Sequence, residues 1–179
     1  MTYHRPVILL TGQPGIGKST IVKKIAELIT SKSGGFYTRE VRKGKRRIGF
    51  EIVTLEGETD LLATKESSIN FPQQVLFESY RINLDAIETV GIPALLKAMA
   101  DNKIVVVDEI GPMEIFSAQF CDTILKILDD QTTAVVGTIV QRPYNFANEV
   151  KAHPRVTMKS VTLDNRDGLP SEIYSLLTK

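Results

Sequence analysis

Cysteine occurs once in the 179-residue sequence, at Cys121, so no disulfide can form within the chain and a reducing compartment, the cytoplasm, is the expected location. Long apolar runs are also missing. No uncharged stretch approaches the roughly 20 residues of a membrane-spanning helix, and near the start only Val7 to Leu10 separate Arg5 from Thr11 and Gly12, too short a run for an export signal. No membrane partner is expected. Neither charge is in excess: 22 Lys and Arg stand against 21 Asp and Glu, and the net +1 provides no global field to draw the chain onto nucleic acid or lipid. Glycine (12) and proline (8) are too few for a collagen-like or low-complexity chain. With 42% hydrophobic and 24% charged residues, the composition fits one globular domain over residues 1–179, monomeric in expectation.

The apolar residues that are present alternate between short runs and helical spacing, the pattern of strands joined by crossover helices. Val7 to Thr11 reads as a buried strand. Ile21, Val22, Ile25, Ala26, Leu28 and Ile29 then recur at helical spacing, and Gly34-Gly35 is expected to end that helix. Phe36 to Val41 and Ile48 to Leu55 read as a hairpin through Lys43-Gly44-Lys45, with another turn at Glu56-Gly57-Glu58. Residues 64–83 read mostly as loop with one short helix or edge strand. Leu84 to Val90 and Pro93 to Ala100 look helical with Gly91 between them, and Ile104 to Val107 is a central strand. Ser117 caps a helix carrying Phe120, Ile124, Ile127 and Leu128. Ala134 to Val140 and Val156 to Leu163 are strands, Asn145 to Ala152 and Ser171 to Leu177 helices.

Gly12-Gln13-Pro14-Gly15-Ile16-Gly17-Lys18-Ser19-Thr20 is a full phosphate-loop pattern with a strand before it and a helix after it. In that setting backbone N–H groups and the helix dipole converge on phosphate oxygens. Lys18 reaches the β and γ phosphates, Ser19 offers a hydroxyl to Mg²⁺, and Thr20 lies near the α-phosphate. A nonfunctional turn has no need of three glycines and a lysine aimed at one point. Ile104 to Val107 delivers Asp108 to the end of its strand, where such proteins place the aspartate that holds Mg²⁺. The adjacent Glu109 is a candidate to accept a proton from an attacking water, which favours hydrolysis over transfer. Either acid can instead cap a helix or sit in a turn. Glu114 can orient water, support the metal, or merely start a helix.

The neutral total hides opposite patches. Between positions 39 and 47, Arg39, Arg42, Lys43, Lys45, Arg46 and Arg47 face only Glu40, whereas residues 101–130 are strongly acidic. Such a hairpin can bind phosphates, supply an arginine to the reaction, or be a solvated tip protected from edge pairing. Arg39 and Arg42, nearer the strand body, are the better candidates. Arg142 follows the strand 134–140 on the rim shared with Lys18 and Asp108, where it can stabilise charge on the γ-phosphate. Asn165 and Arg166 follow the last strand and can flank the base. Cys121 falls on an apolar helix face as a buried thiol, and His4 and His153 have no companions at metal-ligand spacing.

At these residues the chain resembles the small phosphate-loop nucleoside-triphosphatases first described from thermophiles, a family that includes the cancer-related nucleoside-triphosphatase. The likeness runs through the loop Gly12 to Thr20, Gly34 to Arg42, Ile48 to Val53, Val107 to Glu114 and Asn165 to Asp167. It implies an α/β, three-layer P-loop NTPase fold of the RecA-like branch, with a mainly parallel central sheet and an added β-hairpin. It further implies slow Mg²⁺-dependent hydrolysis of ATP, GTP and other nucleoside triphosphates to diphosphate and phosphate, with broad base specificity. The expected catalytic set is Lys18, Glu109, Glu114 and Arg142, and the nucleotide-binding set is Gly12 to Thr20 with Asn165 and Arg166. Ser19 and Asp108 are the expected metal ligands. Two other readings stay open: a small-molecule or nucleoside kinase, and a nucleic-acid-responsive ATPase using the 39–47 hairpin.

Overall fold

The computed structural model describes residues 4–179. Its strands are β1 (Val7–Thr11), β2 (Ser33–Lys43), β3 (Arg46–Thr54), β4 (Thr59–Thr64), β5 (Gln74–Phe77), β6 (Tyr80–Asn83), β7 (Ile104–Ile110), β8 (Val135–Ile139) and β9 (Val156–Ser160). They form one sheet in the order β5-β6-β4-β3-β2-β7-β8-β1-β9. From β2 to β9 the pairings are parallel; from β2 outward to β5 they are antiparallel. The helices are α1 (Lys18–Ile29), α2 (Leu84–Ala86), α3 (Ile92–Ala100), α4 (Ala118–Asp129), α5 (Asn145–Ala152) and α6 (Leu169–Leu177).

Side chains alternate across each strand, so the buried β-branched and leucine runs feed two cores at once. Val7, Leu9, Val105, Val107 and Val135 join Leu95, Phe120, Ile124 and Val150 of α3, α4 and α5. Ile8, Leu10, Ile104, Val106 and Val136 join Ile21, Val22, Ile25 and Ile173 of α1 and α6. The result is three layers. Each fully buried aliphatic side chain contributes roughly 2 kcal/mol relative to exposure.

The structure departs from the sequence expectations where glycine and edge strands are concerned. Gly34 and Gly35 lie inside β2; α1 ends at Ile29, before a 3₁₀ turn over Thr30–Lys32. A Cβ on Gly34 meets the Ala98 Cβ at 2.8 Å, and one on Gly35, whose φ is +119°, presses on the Val106 carbonyl. These glycines therefore admit α3 and β7 to the β2 backbone. Gly91 likewise interrupts nothing: α2 continues through a π turn over Ile87–Gly91 into α3, and a Cβ on Gly91 meets Ile52 Cδ1 at 2.7 Å. Residues 64–83, expected mostly as loop, contain the β5–β6 hairpin. Its turn holds Glu78 at φ 52° in place of the glycine or asparagine that marks such turns in sequence. The antiparallel part is consequently longer than one added hairpin. Ser117 does cap α4, accepting from the Phe120 amide at 3.1 Å, and Cys121 is half-buried on that helix, its thiol pushed up to about 11 by burial.

Arg155, just before β9, ties the β1 and β9 edge to α4. Its Nη1 donates to the carbonyls of Leu128 (2.6 Å) and Asp130 (2.5 Å), and its Nη2 to those of Arg5 (2.9 Å) and Thr133 (2.7 Å). The Leu128 carbonyl belongs to the C-terminal turn of α4, which lacks helical partners and carries partial negative charge. Charge-assisted bonds of this kind are stronger than neutral ones. Arg155→Met is expected to lower unfolding free energy by about 3 kcal/mol, measured by urea denaturation; a loss under about 1 kcal/mol would show that water replaces the guanidinium freely.

Candidate active site

β1 ends at Thr11 and α1 begins at Lys18, and between them the backbone wraps around an open centre. A Cβ on Gly15, at φ +79°, meets nothing within 4 Å. That vacant space combined with a left-handed backbone is what a phosphate cradle needs. Lys18 Nζ folds over the loop, donating to the carbonyls of Gly12 (2.8 Å) and Gln13 (3.1 Å). The Ile16 amide donates to the Gln13 carbonyl at 3.3 Å, which closes the turn.

Asp108 is the buried centre of the site, 1% exposed. Its Oδ1 accepts from Ser19 Oγ at 3.1 Å and from Thr138 Oγ1 at 2.5 Å. Its Oδ2 is buried without a partner. Burial raises the Asp108 pKa; the Thr138 and Ser19 hydroxyls, then Lys23 and Lys18, oppose the rise. Between Val107 and Ile110 the register of β7 against β8 slips by one residue, a bulge that carries both Asp108 and Glu109. Burial and the Asp108 charge raise the Glu109 pKa while Lys18 opposes them.

Glu114 opens a 3₁₀ turn over Glu114–Phe116 and is 3% exposed. Burial, then Glu109, push its carboxyl up to about 8. Gly111 explains the crowding: a Cβ there strikes Glu109 Oε1 and comes within 2.8 Å of Glu114 Oε2. Three carboxyl groups thus gather together, with Lys18 and Lys23 near Asp108 and Lys18 near Glu109.

One cleft of about 760 Å³ collects Gly12, Pro14, Gly15, Gly17, Lys18, Ser19 and Thr20 with Glu109, Glu114 and Arg142. Gln13 and Ile16 belong to the loop but do not line that cleft. Arg142 stands at the mouth with 75% of its side chain exposed, 3.9 Å from Glu78 on the β5–β6 turn. The Asn165 amide is held within its own turn, accepting from the Thr162 amide (2.8 Å) and donating to the Ser160 carbonyl (2.9 Å). Arg166 lies beside the loop, its Cδ 4.0 Å from where a Gly17 Cβ would be.

The basic hairpin is mostly paired internally. Arg39 Nε donates to Glu51 at 2.6 Å, and Arg47 Nη1 to Glu40 at 2.9 Å. Arg42 bonds to Glu40 and to the Lys45 carbonyl and does not itself line the cleft for which its position in the strand had suggested it. Arg47, which sequence spacing did not single out, lines the cleft beside Arg39, together with Phe50, Phe77 and Tyr80. A bonded pair at Arg47 Nε and Tyr80 Oη (3.0 Å) joins β3 to β6, a pairing that no local pattern reveals.

The family model described as NTPase matches residues 7–174. The chain belongs to the NTPase family. It is 38% identical over 170 residues to the nucleoside-triphosphatase THEP1 of Thermotoga maritima, covering 95% of this chain and 94% of that one. It is 36% identical over 179 residues to the cancer-related nucleoside-triphosphatase homolog of Bos taurus, covering 94% of each. The crystal structure of THEP1 from Aquifex aeolicus superposes with a TM-score of 0.86 at 35% identity, covering 97% of this chain and 99% of that one. The solution structure of a human cancer-related nucleoside triphosphatase gives 0.81 at 33%, covering 97% of each. The α/β phosphate-loop fold and the hydrolase class read from the sequence both hold for this member of the family.

Glu114 generates a linkage prediction. A carboxyl at about 8 in the fold and near 4.5 unfolded binds more protons when folded, so stability falls as pH rises from the lower value through the upper one. Glu114→Gln, which keeps the shape of the neutral acid, is expected to raise the thermal midpoint at pH above about 8 and change it little near pH 5. Equal shifts at both pH values would remove Glu114 from the linkage.

Proposed function

We propose that the protein hydrolyses nucleoside triphosphates to nucleoside diphosphate and phosphate in the cytoplasm, with Mg²⁺ and with little discrimination between bases. The observation that carries this is the 3.1 Å bond from Ser19 to a buried Asp108 whose second oxygen has no partner. Among the described residues no group of three or more His, Cys, Asp or Glu forms a self-sufficient metal site. The donor set fits Mg²⁺, which takes one or two protein oxygens and completes its shell with phosphate and water. Ser19 and Asp108 are the residues that hold it, and when bound it neutralises charge on the β and γ phosphates.

In this reading the loop amides and Lys18 hold the triphosphate, with Gly12, Gly15 and Gly17 giving it room. Glu109 takes the proton of the attacking water as its oxygen bonds to the γ-phosphorus; the bond to the β–γ bridging oxygen breaks and its electrons leave with the diphosphate. A raised carboxyl pKa suits a general base working near neutral pH. Glu114, its carboxyl pushed up to about 8, stands close to Glu109 across Gly111 and adds little repulsion at pH 7. Arg142 approaches the γ-phosphate from the mouth. Arg166 beside Gly17 offers a flat guanidinium to the base, which favours stacking over edge recognition and so supports broad specificity.

Glu109→Gln is expected to lower turnover by roughly 10² to 10⁴ with nucleotide affinity nearly unchanged, whereas Lys18→Ala weakens both. Phosphate release and binding of a nonhydrolysable triphosphate, each with and without Mg²⁺, check these outcomes. Full turnover in the Glu109 variant would falsify its role as base.

A further inference from the structure

The cleft is larger than a triphosphate chain and its metal require. At about 760 Å³ it is within the range of roughly 300–1,000 Å³ typical of pockets that enclose whole small molecules. Its long axis is set by the sheet. Ser19 on α1 reaches Asp108 on β7, so the β–γ end of a triphosphate held by the loop points from β1 toward β7, and its nucleoside end toward β9 and Arg166. In the strand order, β2, β3, β4 and β6 then lie beyond the γ-phosphate. At about 4.8 Å per strand, β3 is about 10 Å past β7.

The far side is built differently from the loop. Phe50, Leu62, Phe77 and Tyr80 give it an apolar wall, and Arg39 and Arg47 stand beside that wall. The Phe50 and Tyr80 rings pack at 5.5 Å between centroids, and Phe77 is braced edge-on by Phe116 at 5.6 Å. Arg47 is held over the Phe50 ring at 5.0 Å and bonded to Glu40 and to Tyr80 Oη. Among the described residues, the two terminal nitrogens of Arg39 and Nη2 of Arg47 donate to no protein acceptor. Water as a nucleophile needs neither aromatic walls nor ordered guanidinium groups at this distance. A planar ring carrying a phosphate uses both, through stacking and charge-assisted bonds.

We propose that this outer chamber is a second ligand site that takes a nucleoside monophosphate, its ring against Phe77 and its phosphate toward Arg39 and Arg47. The proposal rests on the reading of the loop as the triphosphate site. The test is calorimetric titration of AMP, GMP, CMP and UMP into protein already saturated with a nonhydrolysable ATP analogue and Mg²⁺. At least one is expected to bind as a further equivalent without displacing the analogue. Phe77→Ala, on the half-exposed β5 strand, is expected to weaken that monophosphate by roughly tenfold or more, with Phe77→Tyr restoring it and the analogue bound as before in both. No binding of any of the four up to millimolar concentration overturns the proposal. Displacement of the analogue also overturns it, because the chamber then belongs to the triphosphate. Failure of the analogue itself to bind appears in the preceding titration and rejects the nucleotide reading.

Discussion

A carboxylate that is 1% exposed needs donors, and Asp108 receives two hydroxyl bonds from elements that the chain brings together from far apart. Ser19 comes from the first turn of α1 and Thr138 from β8, while Asp108 itself ends the apolar run of β7. This three-way junction fixes the phosphate loop relative to the acidic strand end. It depends in turn on β8 lying between β1 and β7, where Gly137 permits the approach: a Cβ there strikes the Val107 carbonyl. The second oxygen, Oδ2, is buried without a donor, so half of the carboxylate stays unsaturated by the protein.

The three acids differ by surroundings more than by type. Asp108 is opposed by hydroxyls and two lysines, Glu109 by Lys18 alone, and Glu114 by backbone amides only. Burial raises all three, and Glu114, with the weakest opposition, is pushed up to about 8. A neutral Glu114 beside Glu109 lets the latter keep its charge without the repulsion that two close carboxylates impose.

Sequence made the geometry at the loop legible because its residues are contiguous: Gly12 to Thr20 and Ile104 to Glu109 each carry their own context. It misread Gly34-Gly35, since a glycine that ends a helix and one that admits a neighbouring backbone look alike until the neighbour is known. It also missed Phe77 and Tyr80. Their strands are short, lie at the sheet edge and turn through Glu78, and Leu76 of β5 is 71% exposed, so the alternation is weak and the turn unmarked. Arg42 and Arg47 stand opposite one another beside the bulge at Val41/Arg42 and share Glu40, yet only Arg47 lines the cleft. A one-residue slip of this kind cannot be read from charge spacing.

The pairing of the hairpin charges also bears on which anion the protein recognises. Glu40 accepts from both Arg42 and Arg47, and Glu51 from Arg39, which orders the guanidinium groups while cancelling much of their long-range field. A surface built to hold a nucleic-acid backbone gains from unpaired, spaced cations and counterion release. Here the neutralised pairs leave short-range directional donors at the wall of a cleft, an arrangement suited to one small phosphate at close quarters. The net charge of +1 sums a basic hairpin and an acidic stretch, and the antiparallel strands beyond β2 are what give the cleft its depth.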